Sequence, residues 1–363
     1  MTRTILFAVA LLLSAPSALA RDYTLETVVS GLEHPWSLAF LPDGRMLVTE
    51  RAGRLRVVDD GVLLDEPVAG VPEAYVASQG GLFEVLPDPD FEDNGLIYLS
   101  LAHGSARANR TRVVRGRLED HRLEDVEVIF DSVPDRSTPV HYGGRMTFLG
   151  DGSLVVGLGD GFNYREQAQD RTDHLGAVVR IQTDGSVPED NPFVDDPDTL
   201  SEIYSYGHRN VQGLVFDERT GTLWQHEHGP RGGDELNRVE PGANYGWPVI
   251  THGIDYSGAR VSPYREFEGM QSPLIDWTPA IAPAGMTLYR GEQFPGWQGN
   301  LLIAGLVARA VIRVEIGSNG PEEVERLFGD LDQRIRDVRT GPDGAVWLLT
   351  DHADGKLVRV TAR

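Results

Sequence analysis

The sequence runs to 363 residues, with 33 lysines and arginines against 55 aspartates and glutamates, a net charge of −22, and no cysteine. Acidity on that scale argues against nucleic acid or an anionic membrane surface as a partner. Without cysteine there are no disulfides and no lipid-modified N-terminal cysteine, so a large core, helped by metal where one binds, must supply the stability.

In chain order, residues 1–20 carry one positive charge at Arg3, an apolar run over 5–13 and the small-residue ending Ala18-Leu19-Ala20. This is the pattern of a secretory signal peptide cleaved before Arg21, which implies a periplasmic or secreted protein. The apolar run is too short to span a bilayer, and nothing later supplies about twenty uninterrupted apolar residues, so no membrane insertion is expected. The remaining residues, 21–363, are read as one catalytic domain whose charge becomes −23 once Arg3 is removed.

Beyond the leader one unit recurs: an apolar strand, a turn of Asp-Gly type, a second apolar strand, then a third. Residues 38–40 lead through Pro42-Asp43-Gly44 to 46–48 and on to 55–58. The same order runs over 146–181, 214–224 and 338–360, and more loosely over 82–118 and 286–314. Asp-Gly between apolar runs marks a hairpin, because glycine accepts the positive φ of a tight turn. Helical periodicity is nearly absent, so the chain reads as all-β. Six such units, none able to bury both faces alone, predict a six-bladed β-propeller with long loops on the active-site face, over 159–175, 181–203 and 230–273. Residues 23–28 read as a strand that joins the last blade and closes the ring. Two β-sandwiches would also give regular strand spacing, but no linker-like composition shift divides the chain.

Several segments carry chemistry. His141 stands before a blade strand in His141-Tyr142-Gly143-Gly144-Arg145, where imidazole suits a general base. Asp160, at the far end of the following hairpin, returns to the same end of the blade and could orient that ring. Arg334 and Arg336 fall on one strand face; paired guanidiniums suit a planar carboxylate, or equally a salt-bridged edge. The stretches 227–237 and 244–248 offer carboxylate and carbonyl oxygens of the kind calcium takes. His226 and His228 lack a third soft ligand nearby, so zinc is discounted. Residues 88–95 read as an acidic hairpin turn rather than a calcium loop, because Pro89 interrupts the pattern and the glycine comes late. No Gly-x-Gly-x-x-Gly opens a helix, which disfavours a nicotinamide cofactor.

Taken together, residues 78–82, 141–145, 158–161, 207–213, 228–235 and 334–337 resemble the family of soluble glucose and aldose sugar dehydrogenases that use pyrroloquinoline quinone (PQQ). The resemblance implies a six-bladed propeller, PQQ and calcium as cofactors, aldose sugars as substrates, and a quinone or cytochrome as electron acceptor. It implies that His141 is the base, helped by Asp160 and by Gln79 at the sugar. Arg209, Asn210, Arg334 and Arg336 would hold the quinone, and the carbonyls of Gly229 and Pro230 the calcium beside it. Glu235 and Tyr245 would match a further structural calcium. The chain departs from the glucose-specialised members at Val140, where they carry aspartate, and Arg309 is the candidate substitute for a lysine they place near the cofactor. The alternatives are a calcium-dependent lactonase and a propeller that only binds ligand.

Overall fold

The computed structural model describes residues 22–363, and the expected leader lies outside the described residues. Among the described residues, twenty-four strands pair into six four-stranded antiparallel sheets. The first strands of the sheets, in chain order, are Pro35–Phe40, Leu82–Pro87, Gly143–Phe148, Val211–Asp217, Pro283–Leu288 and Ile335–Thr340. Each touches the first strand of the next blade around a closed ring, which makes the molecule a six-bladed β-propeller. The sixth blade is closed by the N-terminal strand Tyr23–Leu32, which pairs with Gly355–Ala362, as the sequence predicts for 23–28.

Between the blades, the cores are aliphatic. Leu47, Leu55, Leu82, Leu99 and Val114 fill the space between the first two blades, and Leu302, Val311, Val338, Val346 and Leu348 that between the last two. Alternation along each strand sends side chains to both faces of a blade, and each face is covered by a neighbour. The segment at 88–95 is a turn, as expected: Phe91–Asn94 makes one helical turn, and the Asp88 carboxylate accepts from Asp90 N and Asn94 Nδ2.

One expected loop needs correction. Residues 230–273 contain the third strand of the fourth blade, Asp234–Val239, which pairs with Thr222–Glu227. Its Asp-Glu-Leu-Asn-Arg-Val sequence has too few apolar side chains to signal a strand, yet all but Arg238 are buried. Neighbouring strands and loops supply the polar partners that water would otherwise provide.

The axis is filled by charge rather than by hydrocarbon. Arg145, on the third blade's first strand, lies over the Trp36 ring at 3.9 Å and donates to Glu84 (3.0 Å) and to the Gln212 carbonyl (3.0 Å). It also pairs with Asp337 at 3.3 Å. Arg339 donates to Asp337 (2.9 Å) and Glu84 (2.5 Å), and Ser37 Oγ donates to Glu84 (2.6 Å). In the fifth blade Gly285 leaves room for this cluster, since a Cβ there would lie 1.7 Å from Asp337 Oδ1. All six first strands therefore meet two arginines and two carboxylates of balanced charge. Burial works to raise the pKa of Glu84, but Arg339 and Arg145 outweigh it and hold the carboxyl below its usual range. Removing one member of such a cluster leaves buried charge uncompensated, which costs about 3–5 kcal/mol. Arg145→Ala is expected to lower the free energy of unfolding by that amount in urea titration, with a smaller loss for a surface arginine such as Arg326→Ala.

Candidate active site

Strands one and two of a blade are antiparallel, so residues just before the first and just after the second emerge at the same face. Gln79, His141, Arg209, Asn210 and Arg334 precede first strands, while Arg51, Asp160, His228 and Asp351 follow second strands. In all six blades the pairing of these two strands shifts register near that end. Such bulges bend the strand and re-aim its side chains, here at the mouth of the ring.

His141 and Asp160 meet there, with Nδ1 of the imidazole 2.7 Å from Asp160 Oδ1. The same oxygen accepts from Phe162 N (2.8 Å), and the other from the Trp247 indole N–H (2.8 Å). Burial would raise the Asp160 pKa, but the hydrogen bond from His141, the Arg209 guanidinium and the Phe162 N–H hold it below the usual range. An ionised carboxylate only accepts, so Nδ1 carries the proton and Nε2 is left as the basic nitrogen. Burial pushes the His141 pKa down; Asp160 works against this, and Arg209 and Arg136 add to it. The imidazole is therefore neutral at pH 7.

The backbone beneath His141 is strained and clamped. His141 itself has φ +53°, a left-handed conformation that costs a β-carbon residue energy. Its N–H donates to Gln79 Oε1 at 2.8 Å, and its carbonyl accepts from Arg136 at 2.7 Å. Gly143 follows at φ +69°, where a Cβ would sit 2.3 Å from the Gly157 carbonyl.

Beside this pair lies a central cavity of about 260 Å³, bordered by Gln79, Asn210, His228, Arg51, Arg334 and Arg336 among others. Its one carboxylate, Asp351, accepts from Arg334 (3.2 Å) and Arg336 (3.0 Å) and bonds His34 Nδ1 (3.0 Å). Burial pushes the His228 imidazole down to about 3, so it adds no charge. The lining is thus net positive inside a strongly acidic protein. Arg209, at the edge of the same region, donates to the carbonyls of His228 (3.0 Å) and Gly229 (2.5 Å) and keeps a buried Nε without a partner.

Arg209 is held from behind. Ser205 Oγ bonds His208 Nε2 (2.8 Å), and His208 Nδ1 bonds Glu227 Oε2 (2.9 Å). That is the order of a hydrolytic triad, but Ser205 and His208 have no exposed surface and no substrate can reach them. Glu227 Oε1 instead accepts from Arg209 N at 3.0 Å, so the three buried residues set where Arg209 stands.

The sequence model of the glucose/sorbosone dehydrogenase family matches residues 32–359. The chain belongs to the glucose/sorbosone dehydrogenase family. It is 41% identical to the aldose sugar dehydrogenase YliI of Escherichia coli, over 96% of each chain. A crystal structure of a glucose dehydrogenase superposes with a TM-score of 0.91 at 46% identity, covering 94% of this chain and all of that one. The PQQ-bound aldose sugar dehydrogenase of Streptomyces coelicolor superposes with a TM-score of 0.76 at 28% identity, covering 95% and 100%. Sugar oxidation is the activity this glucose/sorbosone dehydrogenase scaffold supports.

Within the family scaffold, one residue singled out in the sequence falls elsewhere than expected. Arg309 is not brought to the central cavity: it sits at φ +49° in an exposed turn and pairs with Asp332 at 2.7 Å. Glu235 is buried against Glu227 and Asp276 on the adjoining strands, while the Tyr245 hydroxyl turns to the Arg238 carbonyl (2.5 Å). Among the described residues no group of three or more histidine, aspartate or glutamate side chains is arranged to hold a metal. Sequence reasoning missed Arg51, Asp351 and Trp247. The first two occupy the position after a second strand that Asp160 occupies in the third blade, so aligning the blades by their repeat finds them.

Asp351 supplies a test. Burial opposes its ionisation, yet Arg336, His34 and Arg334 hold it well below its ordinary 3.8. A depressed carboxyl stabilises the fold above its unfolded pKa and loses that contribution as pH falls through the folded value. The difference in unfolding free energy between the native chain and Asp351→Asn is expected to be constant above about pH 5 and to shrink below 3.8, measured by denaturant titration across pH.

Proposed function

We propose that the protein oxidises the C1 hydroxyl of aldose sugars to the lactone, with His141 as general base and PQQ and calcium as cofactors, in the periplasm or outside the cell. The observation that carries this reading is a net-cationic cavity beside a neutral, clamped histidine whose Nε2 is basic. When bound, PQQ supplies the two-electron acceptor for the C1 hydride, and calcium polarises its carbonyl.

The residues present suit both groups. Arg51, Arg334, Arg336 and the unpaired Arg209 Nε offer planar, charged donors to a polycarboxylate, with Asn210 alongside. The Gly229 and Pro230 carbonyls are hard oxygen donors of the calcium type. Gly229 O already accepts from Arg209, but a carbonyl has a second lone pair. His141 Nε2 takes the proton of the C1 hydroxyl, and Asp160 stabilises the imidazolium so formed. The Gln79 carbonyl fixes the His141 loop, leaving its amide N–H groups for the sugar. The Trp247 indole N–H holds the Asp160 carboxylate in alignment.

The expected outcome with purified protein is dye-linked aldose oxidation only when PQQ and calcium are both added, and none with NAD. Lactone hydrolysis without PQQ, and no sugar oxidation with it, would overturn the reading. His141→Ala should lower kcat by at least about two decades while PQQ still binds. Asp160→Asn should lower kcat less and move the acid limb of the pH profile to lower pH, because the imidazolium loses its counter-charge. Arg336→Ala should weaken PQQ binding by about 1.5–3 kcal/mol, roughly one to two decades, read by absorbance titration.

A further inference from the structure

A second cavity, of about 350 Å³, is bordered by Asp160 and falls within the size of small-ligand pockets, roughly 300–1,000 Å³. Asp160, Arg209 and Trp247 border it from the site already described, and Phe162 and Tyr256 wall its outer part. The Phe162 ring meets the His141 ring edge-on at 5.1 Å and stacks on Tyr256 at 6.3 Å with 28° between planes. Both are open to solvent, Phe162 at 43% and Tyr256 at 60%.

Two large aromatic faces left in water beside a catalytic base need a reason, since neither fills the core. Their placement is built. Phe162 holds φ +65°, a strained conformation for so large a residue, and its N–H is tied to the same Asp160 oxygen that bonds His141. Tyr256 rides a turn closed by Asp255 N to the Ala259 carbonyl and by Ser257 N to Asp255 Oδ1, both 2.9 Å. The rest of the lining includes charged groups: Arg165 pairs with Glu166 at 3.1 Å and with Asp255 at 3.6 Å, all three reaching solvent.

We propose that Phe162 and Tyr256 form a stacking platform for a second sugar ring, so that the preferred substrates are aldoses extended by a glycosidic unit. The proposal rests on the sugar-oxidation reading. A ring whose C1 lies at His141 reaches the edge of Phe162; a unit linked to it lies over the aromatic faces, with its apolar side on the rings and its hydroxyls towards Arg165, Glu166 and Asp255. This pairing of an apolar face with convergent polar groups is what a saccharide offers and a small aliphatic alcohol does not.

The test titrates the full chain, before cofactor is added, with glucose, maltose and cellobiose, reading tryptophan fluorescence through Trp247. At least one disaccharide is expected to bind more tightly than glucose. Tyr256→Ala and Phe162→Leu should each weaken that disaccharide roughly three- to tenfold, and Tyr256→Phe should restore it. In the cofactor-loaded enzyme the same variants should raise KM for the disaccharide more than they lower kcat. Equal affinity for all three sugars, or disaccharide binding unchanged in both Tyr256→Ala and Phe162→Leu, would overturn the platform. Binding is read without turnover, so the platform and the oxidation chemistry can fail separately.

Discussion

Arg145 is the residue around which the molecule closes. A ring of six twisted sheets has no hydrophobic core along its axis; the first strands converge there, and their backbones leave a narrow space that must be filled without straining any one blade. Arg145 and Asp337, with Glu84 and Arg339, fill it with groups long enough to reach across. Three of the four ion pairs join different blades, so the cluster reports correct closure as hydrocarbon packing could not. A slipped strand would leave a charge unpaired, and buried unpaired charge is among the costliest errors a fold can make. The Arg145 guanidinium also donates, at 3.3 Å, to the Arg336 carbonyl, which ties the axial cluster to the floor of the cavity above it.

That tie explains why the site can be precise although it is made of loops. The Asp160 carboxylate is its hub, binding the imidazole, the Phe162 backbone and the Trp247 indole together. Trp247 arrives from the long connection of the fourth blade, while Asp160 and Phe162 belong to the third. A single ionised carboxylate thus fixes the tautomer of the base, the seat of an exposed aromatic ring and the docking of a neighbouring loop. The left-handed backbone at His141 is affordable only because Gln79 and Arg136 clamp it from both ends.

Electrostatics separates the cavity from the surface. A net charge of −22 keeps the exterior repulsive to anions, yet the central lining reverses sign through arginines on the first and sixth blades. Enclosure in the cavity makes this local reversal effective, since partly buried charges are screened by salt less than exposed ones. The only carboxylate among the lining residues of that cavity, Asp351, is shared by two arginines and a histidine, so positive potential remains for a ligand.

The sequence alone determined the blade count, the all-β class and the closing N-terminal strand, because Asp-Gly turns and apolar runs are local signals that recur at each blade. It also marked His141, Asp160, Arg209, Arg334 and Arg336, all of which stand at blade entrances or exits where motif and repeat coincide. It hid the Asp234–Val239 strand, whose polar residues are buried only because neighbouring chain segments satisfy them. It misplaced Arg309, whose register depends on a turn no local pattern specifies. Tertiary structure alone decided the axial charge cluster, the positive cavity and the meeting of Phe162 with Tyr256, 94 positions apart. The reason is physical: turn chemistry and strand periodicity act between neighbours in the chain, whereas charge balance and ring stacking act through space between residues that only closure of the ring brings together.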